Sequence, residues 1–100
     1  MEIIINHQTF KSKRITGRIY DRYMEMTETI EKRQAEEKNG FSRTDLALIR
    51  EFLVEFFDYQ FTADDLYDEL EVSSIIVYYM SVIKEVEHQM QSKIEKLIKN

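Results

Sequence analysis

The chain has no cysteine, no proline, no tryptophan and only two glycines, Gly17 and Gly40. Without cysteine it forms neither disulfides nor cysteine-rich zinc sites, which suits a reducing cytoplasm. Two isolated glycines cannot build a glycine-rich phosphate loop, so the common nucleotide-binding motifs are excluded. Without proline, no helix is broken by a missing backbone donor. Long apolar runs are also absent. The longest, Ile75 to Met80, falls far short of the ~20 residues that span a bilayer. The N-terminal stretch Met1 to Asn6 lacks the basic head and long apolar core of a signal peptide.

What is present fits a small soluble domain. Of the 100 residues, 43% are hydrophobic and 33% charged. A chain of this size buries roughly 60–70% of its unfolded surface, enough for one core without covalent staples. The net charge of −5 is unevenly spread. Residues 1–40 carry 8 basic and 7 acidic groups, residues 41–83 carry 2 and 9, and residues 84–100 carry 4 and 3. No concentrated basic face exists to displace counterions from nucleic acid, so nucleic acid is not an expected partner. The acidic middle is either a solvated helix face or a surface matched to a basic partner.

Two segments spell the same helix start. Phe41-Ser42-Arg43-Thr44-Asp45-Leu46 and Phe61-Thr62-Ala63-Asp64-Asp65-Leu66 both place a hydroxyl residue three positions before an acid. Each hydroxyl can cap free backbone N–H groups, while the acid reaches back and favours the positive end of the helix dipole. The flanking Phe and Leu sit where a hydrophobic staple forms.

The remaining elements follow from periodicity. Ile3-Ile4-Ile5 and Thr9-Phe10-Lys11 read as two short strands around a turn that lacks the favoured Asn-Gly pair. Thr16 is a plausible cap for a first helix over about 16–38, with Ile19, Tyr23, Met26 and Ile30 on one face and a stop at Asn39-Gly40. A second helix is expected over 43–57, with Leu46, Ile49, Leu53 and Phe56 in one stripe. A short third helix follows over 63–70, with Leu66, Tyr67 and Leu70 on one side. A fourth opens near Ser73 or Ser74 and runs to 99. From Ile75 to Ile83 it is apolar nearly all round and expected to be buried. The fold class is therefore mainly α, about four helices with an N-terminal β-hairpin, in one domain. Residues 1–14 form the hairpin, 15–83 the helical core and 84–100 a projecting helix end. A helix over 74–99 measures roughly 39 Å, longer than the ~26 Å expected across a compact domain of this size.

No catalytic, cofactor-binding or metal-ligating residues emerge. His7 and His88 lie in the expected turn and on a polar helix face, with no Ser or Asp at triad spacing. The acids from Asp58 to Glu71 do not match a calcium loop, which needs a central Gly and a closing Glu. Two apolar stripes are candidate partner surfaces. Phe52, Phe56, Phe57 and Tyr59 belong to the core or, in part, to a binding face. Val86, Met90, Ile94 and Leu97 lie on the helix end that outruns the domain, where exposed apolar surface marks a partner or a second copy.

The layout resembles the tail assembly chaperones of long-tailed phages that infect Gram-positive bacteria. The likeness is clearest in Leu53-Val54-Glu55-Phe56-Phe57-Asp58-Tyr59-Gln60-Phe61-Thr62-Ala63-Asp64-Asp65-Leu66-Tyr67-Asp68-Glu69-Leu70. That segment is similar to the family's Phe-rich helix, Gln-Phe-Thr corner and acidic Asp-Leu-Tyr-Asp turn. The opening hairpin and the helix start Ile15-Thr16-Gly17-Arg18-Ile19-Tyr20-Asp21-Arg22-Tyr23 match the family layout. The resemblance implies a non-enzymatic binder without cofactors. Such a binder holds the tape-measure protein soluble and helps recruit tail-tube subunits such as the major tail protein; a homo-oligomer is an expectation from the apolar end of the last helix. It implies action in the cytoplasm of the bacterial host, away from the membrane, and absence from the finished virion. The alternative from the residues alone is a small dimeric regulator or adaptor acting through its last helix.

Overall fold

A computed structural model describes residues 1–38 and 40–99. Strands β1 (Glu2–Ile5) and β2 (Gln8–Lys11) pair antiparallel, with Ile3 opposite Phe10 and Ile5 opposite Gln8. Alternation sends Ile3 and Ile5 into the core and leaves Glu2 and Ile4 outside. The two turn residues, Asn6 (φ 50°) and His7 (φ 67°), are both left-handed. The turn thus has the backbone sign that Asn-Gly favours, with His7 bearing the strain glycine would avoid.

Four helices follow: α1 (Gly17–Glu37), α2 (Arg43–Phe56), α3 (Ala63–Glu69) and α4 (Val72–Lys99). The helix-dominated α+β class is the one the periodicity indicates. Thr16 caps α1 by accepting from the Ile19 N–H at 3.3 Å. Both expected capping boxes form. Ser42 and Asp45 exchange bonds of 3.1 and 3.0 Å at the start of α2, and Thr62 and Asp65 exchange bonds of 3.1 and 2.9 Å at the start of α3. Helix α1 ends at Lys38, left-handed at φ 54°, whose N–H returns to the Gln34 carbonyl. Asn39, half of the expected stop, lies outside the described residues.

One start differs from expectation. Helix α4 opens at Val72, ahead of both serines, with the Glu71 carbonyl accepting from the Ser74 and Ile75 N–H groups at 3.0 and 3.3 Å. That carbonyl makes the ordinary first bond of a helix, as the Thr16, Ser42 and Thr62 carbonyls do for the other three, and both serines lie inside α4.

The core is an aromatic ladder. Ring centroids link Tyr23 to Phe52 (6.2 Å), Phe52 to Phe56 (5.5 Å), Phe56 to Phe57 (5.7 Å), Phe57 to Phe61 (5.3 Å) and Phe61 to Phe10 (5.3 Å). It joins α1 to α2, passes the corner and ends on β2. Aromatic pairs at these separations contribute about 0.5–1.5 kcal/mol each beyond area burial. Ile30, Ile49, Leu53, Leu66, Ile75, Val82 and Val86 fill the space around it.

Two outward faces were not foreseen. Tyr67 is 65% exposed and does not share the buried side of Leu66. The guanidinium carbon of the buried Arg50 lies over the Tyr67 ring, 4.7 Å from the centroid. On α4, Ile75, Tyr79 and Val82 are buried, but Val77 and Met80 are 58% and 54% exposed. The expectation that α4 is buried all round from Ile75 to Ile83 is thus corrected. The described elements that pack on it cover one side and leave the other open.

Candidate functional site: an apolar groove at the end of the long helix

The eight residues proposed from sequence for partner contact fall into two groups. Phe52, Phe56, Phe57 and Val86 are core, at 3%, 0%, 0% and 1% exposure. In this structure they offer no surface, and the aromatic stripe serves packing. Tyr59, Ile94 and Leu97 are exposed and Met90 is half-buried, packed against the core edge. Val86 and Met90 carry the packed part of α4 past residue 83.

Met90, Ile94 and Leu97 line a groove of about 180 Å³ with Gln89, Lys93 and Ile15. Three levels of structure make it. Spacings of four and three residues put Met90, Ile94 and Leu97 on one side of α4. The helix spans 28 residues, roughly 42 Å, in a molecule whose longest dimension is 45 Å, so its last turns outrun the elements beside them. The linker between β2 and α1 then brings Ile15 alongside. Ile15 stands alone between Arg14 and Thr16, outside any helical period, and sequence reasoning missed it for that reason. Gln89 and Lys93 add an amide and a cation to a trough that Ile15, Met90, Ile94 and Leu97 make mainly apolar.

Tyr59 occupies a different opening on the same linker. A cleft of about 660 Å³ is lined by Ser12, Lys13, Arg14, Arg18, Asp58 and Tyr59, among others. The corner that presents Tyr59 is tightly built. Asp58 and Tyr59 are both left-handed, at φ 54° and 60°. The Tyr59 N–H returns to the Val54 carbonyl at 2.9 Å and closes the end of α2. The Gln60 amide donates to the Phe57 and Lys11 carbonyls at 2.7 and 2.8 Å, and the Lys13 N–H donates to the Phe56 carbonyl at 3.0 Å. These bonds satisfy carbonyls at a helix end and lash β2 and the linker to α2. Both openings therefore rest on a fixed linker.

Electrostatic anchors lie away from the groove. Arg33 bridges α1 and α2, with Nε 2.9 and 2.8 Å from the two oxygens of Asp45 and a further bond from its Nη2. Asp45 is 1% exposed. Burial pushes its carboxyl upward, but the Arg33 bonds, the Ser42 N–H and the Arg33 charge outweigh it and hold the group below the ordinary carboxylate range. Glu85 on α4 is likewise lowered, first by its bond from Gln89 and then by the Met1 ammonium 3.0 Å away. Burial raises the Tyr79 phenol to about 12, with Glu31 adding to the effect, so it stays neutral.

The chemistry on offer is burial of an apolar segment. Among the described residues, no group of three or more His, Asp or Glu side chains could hold a metal ion, and no helix is long and apolar enough to cross a membrane. No curated protein and no solved structure matches the chain. A family model does match, over residues 2–100, and it covers the hairpin, the corner and the long helix alike: the chain belongs to a family described as phage tail chaperone protein.

Proposed function

We propose that the protein acts in tail assembly by binding the tape-measure protein of a long-tailed phage, keeping it soluble and helping to recruit tail-tube subunits. The client side is the groove of Ile15, Met90, Ile94 and Leu97, with Tyr59 as an outlying contact. The observation that supports this reading is apolar surface left open on the last turns of α4: Ile94 is 49% and Leu97 77% exposed. A protein that stays folded while exposing such a stripe has something to place on it. A long helical client offers the matching element, the apolar face of an amphipathic helix. The acidic segment 41–83, with 9 acids against 2 basic groups, keeps the joint complex in solution.

Full burial of an aliphatic side chain contributes about 1.5–3 kcal/mol, and association takes back much of the sum. Three or four residues therefore support a weak-to-moderate complex, fitting a client that must later be released. The test is co-expression with the tape-measure protein. Wild type should keep the client in the soluble fraction. Ile94→Lys with Leu97→Lys should lose it while the chaperone itself stays folded, since both side chains are already exposed. Full solubilisation by the double variant would refute the groove.

A further inference from the structure

A helix that is apolar on every side must bury every side or leave one for a partner. The first half of α4 does the latter. Ile75, Tyr79 and Val82 face the core, while Val77 and Met80 are more than half exposed. At 100° per residue, these two point roughly 160° away from the buried three. Elements packed on the core side cannot reach them. The half-buried Ile76 adjoins Met80 and widens the patch. The groove of the proposed client site is separate. Its residues lie four turns further along, and Lys84, Glu87 and Gln91 interrupt the outer face between them.

We propose that this face binds the same face of a second copy, α4 against α4 antiparallel, about a two-fold axis between Val77 and Met80. The charge pattern selects that occupant. The patch is preceded by Glu69 and Glu71 and followed by Lys84, acid at one end and base at the other. Such a pattern is complementary to itself when reversed. Two-fold pairing lays Val77 on Met80 of the other copy, twice, and brings Lys84 toward the Glu71 end, twice. Ser73 and Ser81 flank the apolar residues on the same face and are small enough for close approach of the helices. A parallel pair would instead align Lys84 with Lys84 and Glu71 with Glu71. The patch covers about three helical turns and falls below the ~800 Å² per partner of standard interfaces, so the dimer is a weak one.

Sedimentation equilibrium from micromolar to millimolar concentration tests the pairing. Wild type should pass reversibly from monomer to dimer. Met80→Lys should weaken the dimer roughly a hundredfold, since each dimer loses two apolar contacts. Its denaturation midpoint should stay unchanged, because Met80 lies outside the core. Lys84→Glu should weaken dimerisation, and adding Glu71→Lys should restore it. The natural absence of cysteine permits a register test. Val77→Cys and Met80→Cys copies, mixed one to one, should cross-link to each other faster than either does to itself. A monomer at every concentration overturns the proposal, as does unfolding of Met80→Lys. So does a dimer that tolerates Met80→Lys but is broken by Ile94→Lys with Leu97→Lys, which moves self-association to the groove at the helix end. Loss of the dimer with client solubilisation intact separates this proposal from the client site.

Discussion

Phe61→Ala strikes the point where three parts of the fold meet. The ring is 5% exposed and sits 5.3 Å from both Phe10 on β2 and Phe57 at the end of α2. It also precedes the cap residue of α3, where a staple residue belongs. Truncation removes a buried ring and leaves a void that the flanking aromatics cannot close without leaving their own contacts. Phe-to-Ala changes at such sites cost about 3–5 kcal/mol. A domain of this kind has a total stability of about 5–15 kcal/mol, so the variant should be marginal. Urea denaturation followed by far-UV circular dichroism reads the loss as a lower midpoint at unchanged slope. The partners can be apportioned by a double-mutant cycle. Phe10→Ala and Phe61→Ala together should cost about 0.5–1.5 kcal/mol less than the sum of the single changes, the coupling of one edge-on aromatic pair. A loss under about 1 kcal/mol for Phe61→Ala would refute the reasoning, because it would mean that the hairpin is not held through this ring.

Two further changes probe the helix starts. Thr62→Ala removes the hydroxyl that accepts from the Asp65 N–H at 3.1 Å and should cost about 1 kcal/mol in the same denaturation assay. Asp45→Asn tests the Arg33 bridge through pH. The Asp45 carboxyl lies below its unfolded value, so its contribution is fully present above about pH 4 and is lost as pH falls through the folded value. Wild type should therefore lose stability on acidification over that window, and the Asn variant should be less stable at neutral pH with a flatter acid limb. Parallel curves for the two proteins would show that the bridge adds nothing.

Much of this fold was legible because its boundaries are written in side chains. Ser42 with Asp45 and Thr62 with Asp65 announce helix starts through bonds each residue makes within its own turn. Thr16 does the same. Ile3 and Ile5 alternate with Glu2 and Ile4, and the sheet needs no more than that. Where the backbone does the work, the signal vanishes. Helix α4 begins at Val72, and the serines that looked like caps lie inside it. The hairpin turn forces His7 into a left-handed conformation that its residue type did not advertise. The Arg33 bridge to Asp45 spans 12 positions between elements, and its arginine sits in a stretch of wholly polar sequence. Only the acid carried a visible role, as a capping residue.

The candidate surfaces were harder to see, and for one physical reason. Periodicity shows which residues share a helix face. It does not show how many faces the rest of the chain can cover. Phe52, Phe56 and Phe57 are wide enough to serve the core and a partner both, and they are consumed by the core because α1, the corner and the hairpin close on them from three sides. Val77 and Met80 carry the same kind of apolar chemistry and stay open, because the chain has spent its other helices on the opposite side of α4. Ile94 and Leu97 stay open because the helix is longer than anything beside it. Exposure here is set by a shortage of covering layers. A surface of that origin calls for charge at its borders, and here charges of both signs supply it. Glu69 and Glu71 precede the Val77 patch and Lys84 follows it, while Lys93 lines the groove with Glu95 and Lys96 next to it in sequence.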